Sequence, residues 1–361
     1  MKYFLSLLLS FSLMSCLAQN AKKDENILYV VDSIPIIDDP DASLGTLNNV
    51  DIDHLEVVTD SVKIKAAGYP TINKIIYLTT KEYVKRSDDT RKIVTTRAME
   101  KRDGVWYLKD SATPYNGRFI DYFLNGKIQG EGILKNGVVD GVRTVYYQNG
   151  QKNFIRNYKD GVADGYSEQY FKNGAIQQKG SFKNGTDDGL WVSYYSTGAI
   201  KRQTNFVNQV PDMTADEKKF LNLLSEASEL MKAEDFKGAI KKLNTAEKIN
   251  ANYADVYFYR GTAELDNFDF DNAVLDLDKA IRLEPLYMEA LGNRAFARIR
   301  KYQFKDSRKL LSNDEVTVLA SKDKVEIPPE EKTKICSDLN KSVELGDDNK
   351  MILDAIKEYC K

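Results

Sequence analysis

The chain is poor in the residues that most chemistry needs: one histidine, three cysteines, eight prolines and two tryptophans in 361 residues. The single histidine, His54, has no cysteine or histidine at ligand spacing, so it reads as structural rather than as a catalyst or metal ligand. There is no phosphate-cradling glycine loop, no dinucleotide fingerprint and no nucleophile elbow. No catalytic residue, metal or other cofactor is therefore assigned, and the protein is expected not to be an enzyme. Charge of one sign is also missing. Lys and Arg number 52 against 54 Asp and Glu, with no one-sided basic stripe, which excludes nucleic acid and an anionic membrane surface as charge-driven partners. The aspartates between Asp266 and Asp278 lack the glycine and glutamate of an EF-hand loop and read as a solvated helix face. Glycine is scarce everywhere except the middle. Of 21 glycines, 15 lie between Gly104 and Gly198, so a turn-rich β region is flanked by segments built differently.

What fills that middle is a 24-residue unit repeated four times, opened by Gly117, Gly141, Gly165 and Gly189. An aromatic pair follows in each copy (Tyr122/Phe123, Tyr146/Tyr147, Tyr170/Phe171, Tyr194/Tyr195). Then come a turn glycine (Gly126, Gly150, Gly174, Gly198) and an apolar column (Leu134, Tyr158, Phe182, Phe206). An aspartate closes each copy (Asp140, Asp164, Asp188, Asp212). Asn-Gly and Asp-Gly between aromatic or β-branched runs predict type I′ hairpins, hence an antiparallel meander with one hairpin per copy. Adjacent strand residues point to opposite faces, so the two members of each aromatic pair have different surroundings. Either one row is core and the other cross-strand packing, or Tyr122, Tyr146, Tyr170 and Tyr194 form a solvent-facing row suited to stacking on sugars or peptide. The sequence leaves both open.

The aromatic-x-Asn-Gly-Lys and Tyr/Phe-Lys-Asn/Asp-Gly-x-x-Asp-Gly phrases resemble the bacterial variant of the MORN repeat over roughly residues 104 to 212. From about Asp216 the periodicity turns helical with a repeat of 34: Phe236, Phe270, Phe304; Ala227, Gly261, Ala295; Leu243, Leu277. This resembles the tetratricopeptide repeat, with a third repeat interrupted by an insertion near 305–330, a delayed helix from Pro328-Pro329-Glu330 and a capping helix at Asn349 to Tyr359. Earlier in the chain, Tyr29-Val30-Val31-Asp32, Asp51-Ile52-Asp53-His54-Leu55-Glu56-Val57-Val58 and Thr79-Thr80-Lys81 look like the plug domain of TonB-dependent receptors. Ser33 stands where that family has glycine, and no barrel follows.

The expected fold is therefore multidomain α+β. Residues 1–19 form a signal peptide, 20–100 a plug-like α+β module, 101–212 a MORN-type sheet and 213–361 an all-α tetratricopeptide solenoid. Met1-Lys2 and the apolar run Tyr3 to Met14 predict export, being too short to span a bilayer. Leu13-Met14-Ser15-Cys16 resembles a lipobox, which implies lipidation at Cys16 and a place in the periplasm or outer membrane; ordinary cleavage near Ala18 is the alternative. With Cys16 acylated or removed, Cys336 and Cys360 remain as a pair in an oxidising compartment, a candidate disulfide. The tetratricopeptide resemblance implies a groove lined by Leu221, Leu224, Phe258, Leu265, Phe296 and Ile299. That surface suits an apolar helix or extended segment, unless the insertion or the sheet already fills it. The expected function is a non-catalytic envelope scaffold binding a protein partner or a glycan. The alternatives are an antitoxin-like component of a toxin-antitoxin pair and an accessory of a TonB-dependent system.

Overall fold

The computed structural model describes residues 27–36, 42–304, 308–312, 317–320 and 326–360. The leader, with Cys16, lies outside the described residues. The chain divides into two compact units, Met1–Gly189 and Leu190–Lys361, so the fourth β-repeat begins at the boundary.

The first unit opens with a small mixed sheet. Strands β1 (Ile27–Val31), β2 (Ile34–Ile36), β3 (Ile52–Val58) and β4 (Lys74–Thr80) lie in the order β2-β1-β4-β3, with β1 parallel to β4 and β3 antiparallel to it. β1 is central and buries Leu28, Val30 and Val31, as an interior strand with both faces covered must. Helix α1 (Ser61–Ala66) covers one face through Ile64; the Asp60 side chain caps it by accepting from the Val62 N–H at 2.8 Å. Asp32 and Ser33, both at positive φ, turn β1 into β2. Two short helices follow, α2 (Lys81–Lys85) and α3 (Asp88–Arg91), then a hairpin of β5 (Met99–Arg102) and β6 (Val105–Leu108).

The repeats then form β7 (Gly117–Tyr122), β8 (Ile128–Lys135), β9 (Val138–Val139), β10 (Gly141–Tyr146), β11 (Lys152–Lys159), β12 (Val162–Tyr170) and β13 (Ile176–Lys183). They pair antiparallel in the order β7-β8-β10-β11-β12-β13, and β9 pairs β8. The register explains two columns of the repeat. The first three opening glycines lie across from apolar residues: Gly117 from Leu134, Gly141 from Tyr158, Gly165 from Phe182. The large side chain covers the backbone that a glycine in left-handed geometry exposes.

The turns correct one expectation. Type I′ geometry is found at Asn136-Gly137, Asp160-Gly161 and Asn184-Gly185, where both residues have positive φ. At Asn125-Gly126, Asn149-Gly150 and Asn173-Gly174 only the glycine does. There the hairpin is a three-residue loop closed by Tyr147 N–H to Gln151 O and Gly150 N–H to Tyr147 O, both 2.8 Å. The Asn149 side-chain oxygen accepts the Gln151 N–H at 3.0 Å, which holds the asparagine in right-handed geometry and leaves the bulge to glycine. The closing aspartates have a local role: Asp140 and Asp164 accept the backbone N–H of Asp160 and Asn184 in the next turn, each at 3.2 Å.

In the second unit β14 (Thr186–Tyr194, entering from the first), β15 (Ile200–Val207) and β16 (Val210–Asp212) pair in sequence, and helices follow. These are α4 (Ala215–Lys232), α5 (Phe236–Ile249), α6 (Ala254–Asp266), α7 (Phe270–Leu283) and α8 (Met288–Gln303). A strand pair, β17 (Arg308–Ser312) and β18 (Thr317–Ala320), occupies the insertion; α9 (Pro329–Leu345) and α10 (Lys350–Tyr359) end the chain. A capping box between Thr214 and Glu217 starts α4. The small residues at period 34 mark the closest helix crossings. A Cβ on Gly261 would sit 2.8 Å from Leu277 Cγ and 3.1 Å from the Ala273 carbonyl, so α6 and α7 meet there with nothing between their backbones. The delayed α9 packs on α8 through Ile335 and Leu339, in place of the interrupted repeat's second helix.

Candidate functional site

The first helices of the three pairs, α4, α6 and α8, neighbour one another, and the 34-residue period puts equivalent positions on one face: Leu224, Phe258 and Gly292; Ser228, Thr262 and Phe296. Leu221, Leu224, Phe258 and Phe296 are half-buried on that face and pack against the unit's core. Phe258 lies against Tyr287, with ring centroids 4.6 Å apart, and against Tyr259 at 5.3 Å. Leu265 and Ile299 differ from the groove lining expected of them: they are enclosed, so the lower end of the face is core. Asn293 donates to the Thr262 hydroxyl at 2.9 Å and ties α8 to α6 across the same face.

The hairpin at the end of the sheet closes the other end. The Tyr195 hydroxyl donates to the Asn252 carbonyl at 3.0 Å and accepts the Ala254 N–H at 2.8 Å. It supplies the cap that Tyr253, the residue before α6, lacks. Burial raises its pKa well above the ordinary tyrosine value. Glu284 accepts from the Ser196 N–H at 2.8 Å, and Lys201 pairs with Asp255 at 3.1 Å. Between hairpin and helices a cleft of about 420 Å³ is lined by Ile200, Lys201, Arg202, Phe220, Leu221 and Tyr253. Leu221 belongs to both, so the apolar face runs on into the cleft.

Behind this face the helices are joined by ion pairs. Arg260 on α6 reaches Asp276 on α7 through two hydrogen bonds and Glu247 on α5 through another. Arg294, 34 residues later, joins Asp278 and Asp338. Glu264 is buried beside Asp276 and Asp269, and one of its carboxyl oxygens has no hydrogen-bond partner. Burial first, then the carboxylate neighbours, push its pKa up to about 8 against the pull of Arg260.

The tyrosine row is engaged rather than free. Tyr146 donates to Glu131 at 2.8 Å, and burial with that hydrogen bond raises its pKa to about 12. Tyr170 donates to Glu168. Tyr122 lies under the Arg86 guanidinium, 3.5 Å from ring centroid to carbon, and its buried hydroxyl has no partner among the described residues. Tyr194 is half-buried in the second unit. Tyr147, second of its pair, donates to the Tyr170 carbonyl at 2.8 Å, locking one hairpin to the next. On the repeat sheet Ile133, Val142 and Tyr166 are exposed. The sequence signal was the position after the opening glycine, where Val142 and Tyr166 stand. His54 is exposed on β3, and no group of three or more metal-ligating side chains occurs among the described residues. Cys336, in α9, and Cys360, at the end of α10, have Cα atoms 5.5 Å apart and are joined as a disulfide.

Residues 139–160, 163–184 and 187–208 match the family model described as MORN repeat variant. Among curated proteins, sperm-associated antigen 1 of Rattus norvegicus is 34% identical over 83 residues, 23% of this chain and 9% of that protein. The Mus musculus protein of the same name is 31% identical over 112 residues, 30% and 12%. This chain thus spans a small part of those relatives' length. Among solved structures, the first TPR of Spaghetti (RPAP3) bound to HSP90 peptide SRMEEVD is 15% identical with a TM-score of 0.31, covering 40% of this chain and 91% of its own. The Arabidopsis OM64 TPR domain is 17% identical with a TM-score of 0.31, covering 40% and 97%.

Proposed function

We propose that the protein is a non-catalytic scaffold whose second unit docks an apolar segment of a protein partner along Leu221, Leu224, Phe258 and Phe296. One observation carries this reading: apolar side chains recur at the helical period on one face of α4, α6 and α8, yet stay only half-buried while the positions behind them are sealed. An incompletely covered aromatic cluster of this kind is what an inserted side chain completes. The lining of Leu221, Leu224, Phe258 and Phe296 suits an apolar helix or strand better than a charged tail. Engagement of the Tyr146 and Tyr170 hydroxyls and burial of Tyr122's speak against the glycan reading, which needs free polar rims as well as rings.

Phe258→Ala with Phe296→Ala tests it. A docking face loses recovery of a partner cross-linked from the cell envelope while the melting temperature moves little. Undiminished recovery by the folded double variant overturns the reading; loss of folding shows that the rings are core.

We also propose, from the leader alone, that the protein is exported and anchored through a lipid on Cys16. Cys16→Ala should release it from the membrane fraction or block its processing. An unchanged distribution and mature mass would remove the anchor and leave ordinary cleavage near Ala18.

A further inference from the structure

The sheet ends of the first unit are unequally protected. β2, one edge of the small sheet, is three residues long and carries Pro35, which has no N–H to offer. The outer side of β7 is met by Val94, whose carbonyl accepts the Ile120 N–H at 3.1 Å. β3 has neither defence. It runs seven residues with no lysine or proline, its five middle residues are exposed, and no strand among the described residues pairs its outer side. Leu55 and Val57, exposed to 46% and 50%, stand beside Leu78 and Ile76 on the sheet face that α1 does not cover. Val50 and Val62 add exposed apolar surface at the two ends of the strand. An edge that exposes Leu55 and Val57 beside free backbone groups is a template for another strand, and the register shift between Ile52 and His54 leaves its regular part at His54 to Val58.

We propose that β3 pairs antiparallel with β3 of a second copy of this chain, centred on Leu55, joining two four-stranded sheets into one of eight. The occupant follows from the strand's own charge pattern. A two-fold axis normal to the sheet keeps the α1 side of both copies on one side, and it requires a residue to face itself at the centre. Centred on Leu55, the pairing places His54 opposite Glu56 of the second copy, twice, and sets Leu55 against its own copy. Centred on Glu56, it would set two carboxylates directly opposite each other, which is destabilising. Val57 then lies diagonal to Leu55 of the second copy, within reach of its side chain. An unrelated partner strand would need no such self-complementarity.

The full chain, with Cys16→Ser so that no other free thiol interferes, is studied by sedimentation equilibrium over a hundredfold concentration range. The expected result is a monomer–dimer equilibrium that Leu55→Lys weakens about tenfold or more, with an unchanged melting curve at concentrations where both chains are monomeric, since the side chain is exposed there. Under mild oxidation Leu55→Cys should form a covalent dimer, and Glu56→Cys should not. A monomer at every concentration, or a dimer untouched by Leu55→Lys, overturns the proposal. Preferential cross-linking through Glu56→Cys overturns the register.

Discussion

Among the helices, Ala227, Ala239, Leu243, Ala246, Ala273, Leu277 and Ala280 have no measurable exposure, whereas across β10 to β13 the buried positions are Ser167 and Gly180. Both regions are repeats with a strict period, and they reach stability by different routes. The helical repeat buries a few small and aliphatic residues completely, so its energy sits in close packing and is lost steeply when one of them is removed. The sheet repeat half-buries nearly everything. It relies on ladder hydrogen bonds, turns with prescribed φ angles, the Asp140 and Asp164 turn contacts, and rings such as Phe182 lying over a glycine and an arginine. Such a layer spreads its stabilisation thinly, so single changes should be mild.

The largest test of that contrast is Leu277→Ala beside Phe182→Ala. Leu277 fills the crossing where Gly261 admits no Cβ, so its removal should cost about 2–5 kcal/mol. Phe182 is larger but only half-buried, and its loss should cost roughly half of what a buried ring costs, about 1.5–2.5 kcal/mol. Chemical denaturation followed by far-UV circular dichroism, which separates helix from strand signal, measures both. Equal costs would erase the distinction. Next in size is the covalent tie between α9 and α10. Cys336 and Cys360 are 24 residues apart, and closing a loop of about that length is worth roughly 3 kcal/mol. Reductant should lower the helical melting transition and leave the sheet's unmoved; two free thiols in protein taken from cells would contradict the bond.

A third test uses pH. Glu264 is held near pKa 8 when folded, against roughly 4.3 in an unfolded chain, so the folded state binds the extra proton between those values. The stability it contributes is fully present below about pH 4 and is lost as pH rises toward 8, because the unfolded chain has by then released the proton at no cost. Glu264→Gln keeps the neutral shape and removes the titration. Its denaturation midpoint should vary less than the wild type's between pH 5 and 8, and exceed it at pH 8. Parallel profiles would mean that Arg260 already holds the carboxylate ionised.

Much of this was legible in the residues. Both periods, the hairpin in each copy, the start of α9 at Pro329 and the capping helix at Lys350 follow from spacing, glycine and proline alone. Sequence reading misses what depends on a third dimension. It assigned type I′ geometry to every Asn-Gly, because it could not see that the Asn149 side chain would hold its own turn right-handed. It leaves open whether Tyr122, Tyr146, Tyr170 and Tyr194 form a surface, because alternation tells that two neighbours face apart but not that Glu131, Glu168 and Arg86 lie beside the rings. No pattern announces that the Tyr195 hydroxyl packs on the start of α6.

The smallest expected effect sharpens the comparison from the side of the small mixed sheet. Ser33 has φ of 71° in the turn between β1 and β2, a region that costs an L-residue about 1–2 kcal/mol relative to glycine. Its neighbour Asp32, also at positive φ, is held there by hydrogen bonds from the Thr80 N–H at 2.8 Å and hydroxyl at 2.7 Å, and by Arg86. Ser33 is exposed, and among the described residues no hydrogen bond from its side chain accompanies that strain. Ser33→Gly should relieve the strain but loosen the unfolded chain by about 0.4–1 kcal/mol, for a net gain of roughly 0.5–1 kcal/mol. Asp32→Gly relieves a similar strain yet leaves the fully buried Thr80 without its acceptor and Arg86 with the Gly126 carbonyl but no carboxylate, so it should destabilise by about 1–3 kcal/mol. Opposite signs at two adjacent turn residues, read from denaturation midpoints, would show that this module is held by its buried carboxylate rather than by its turn; equal signs would place the stability in the backbone geometry itself.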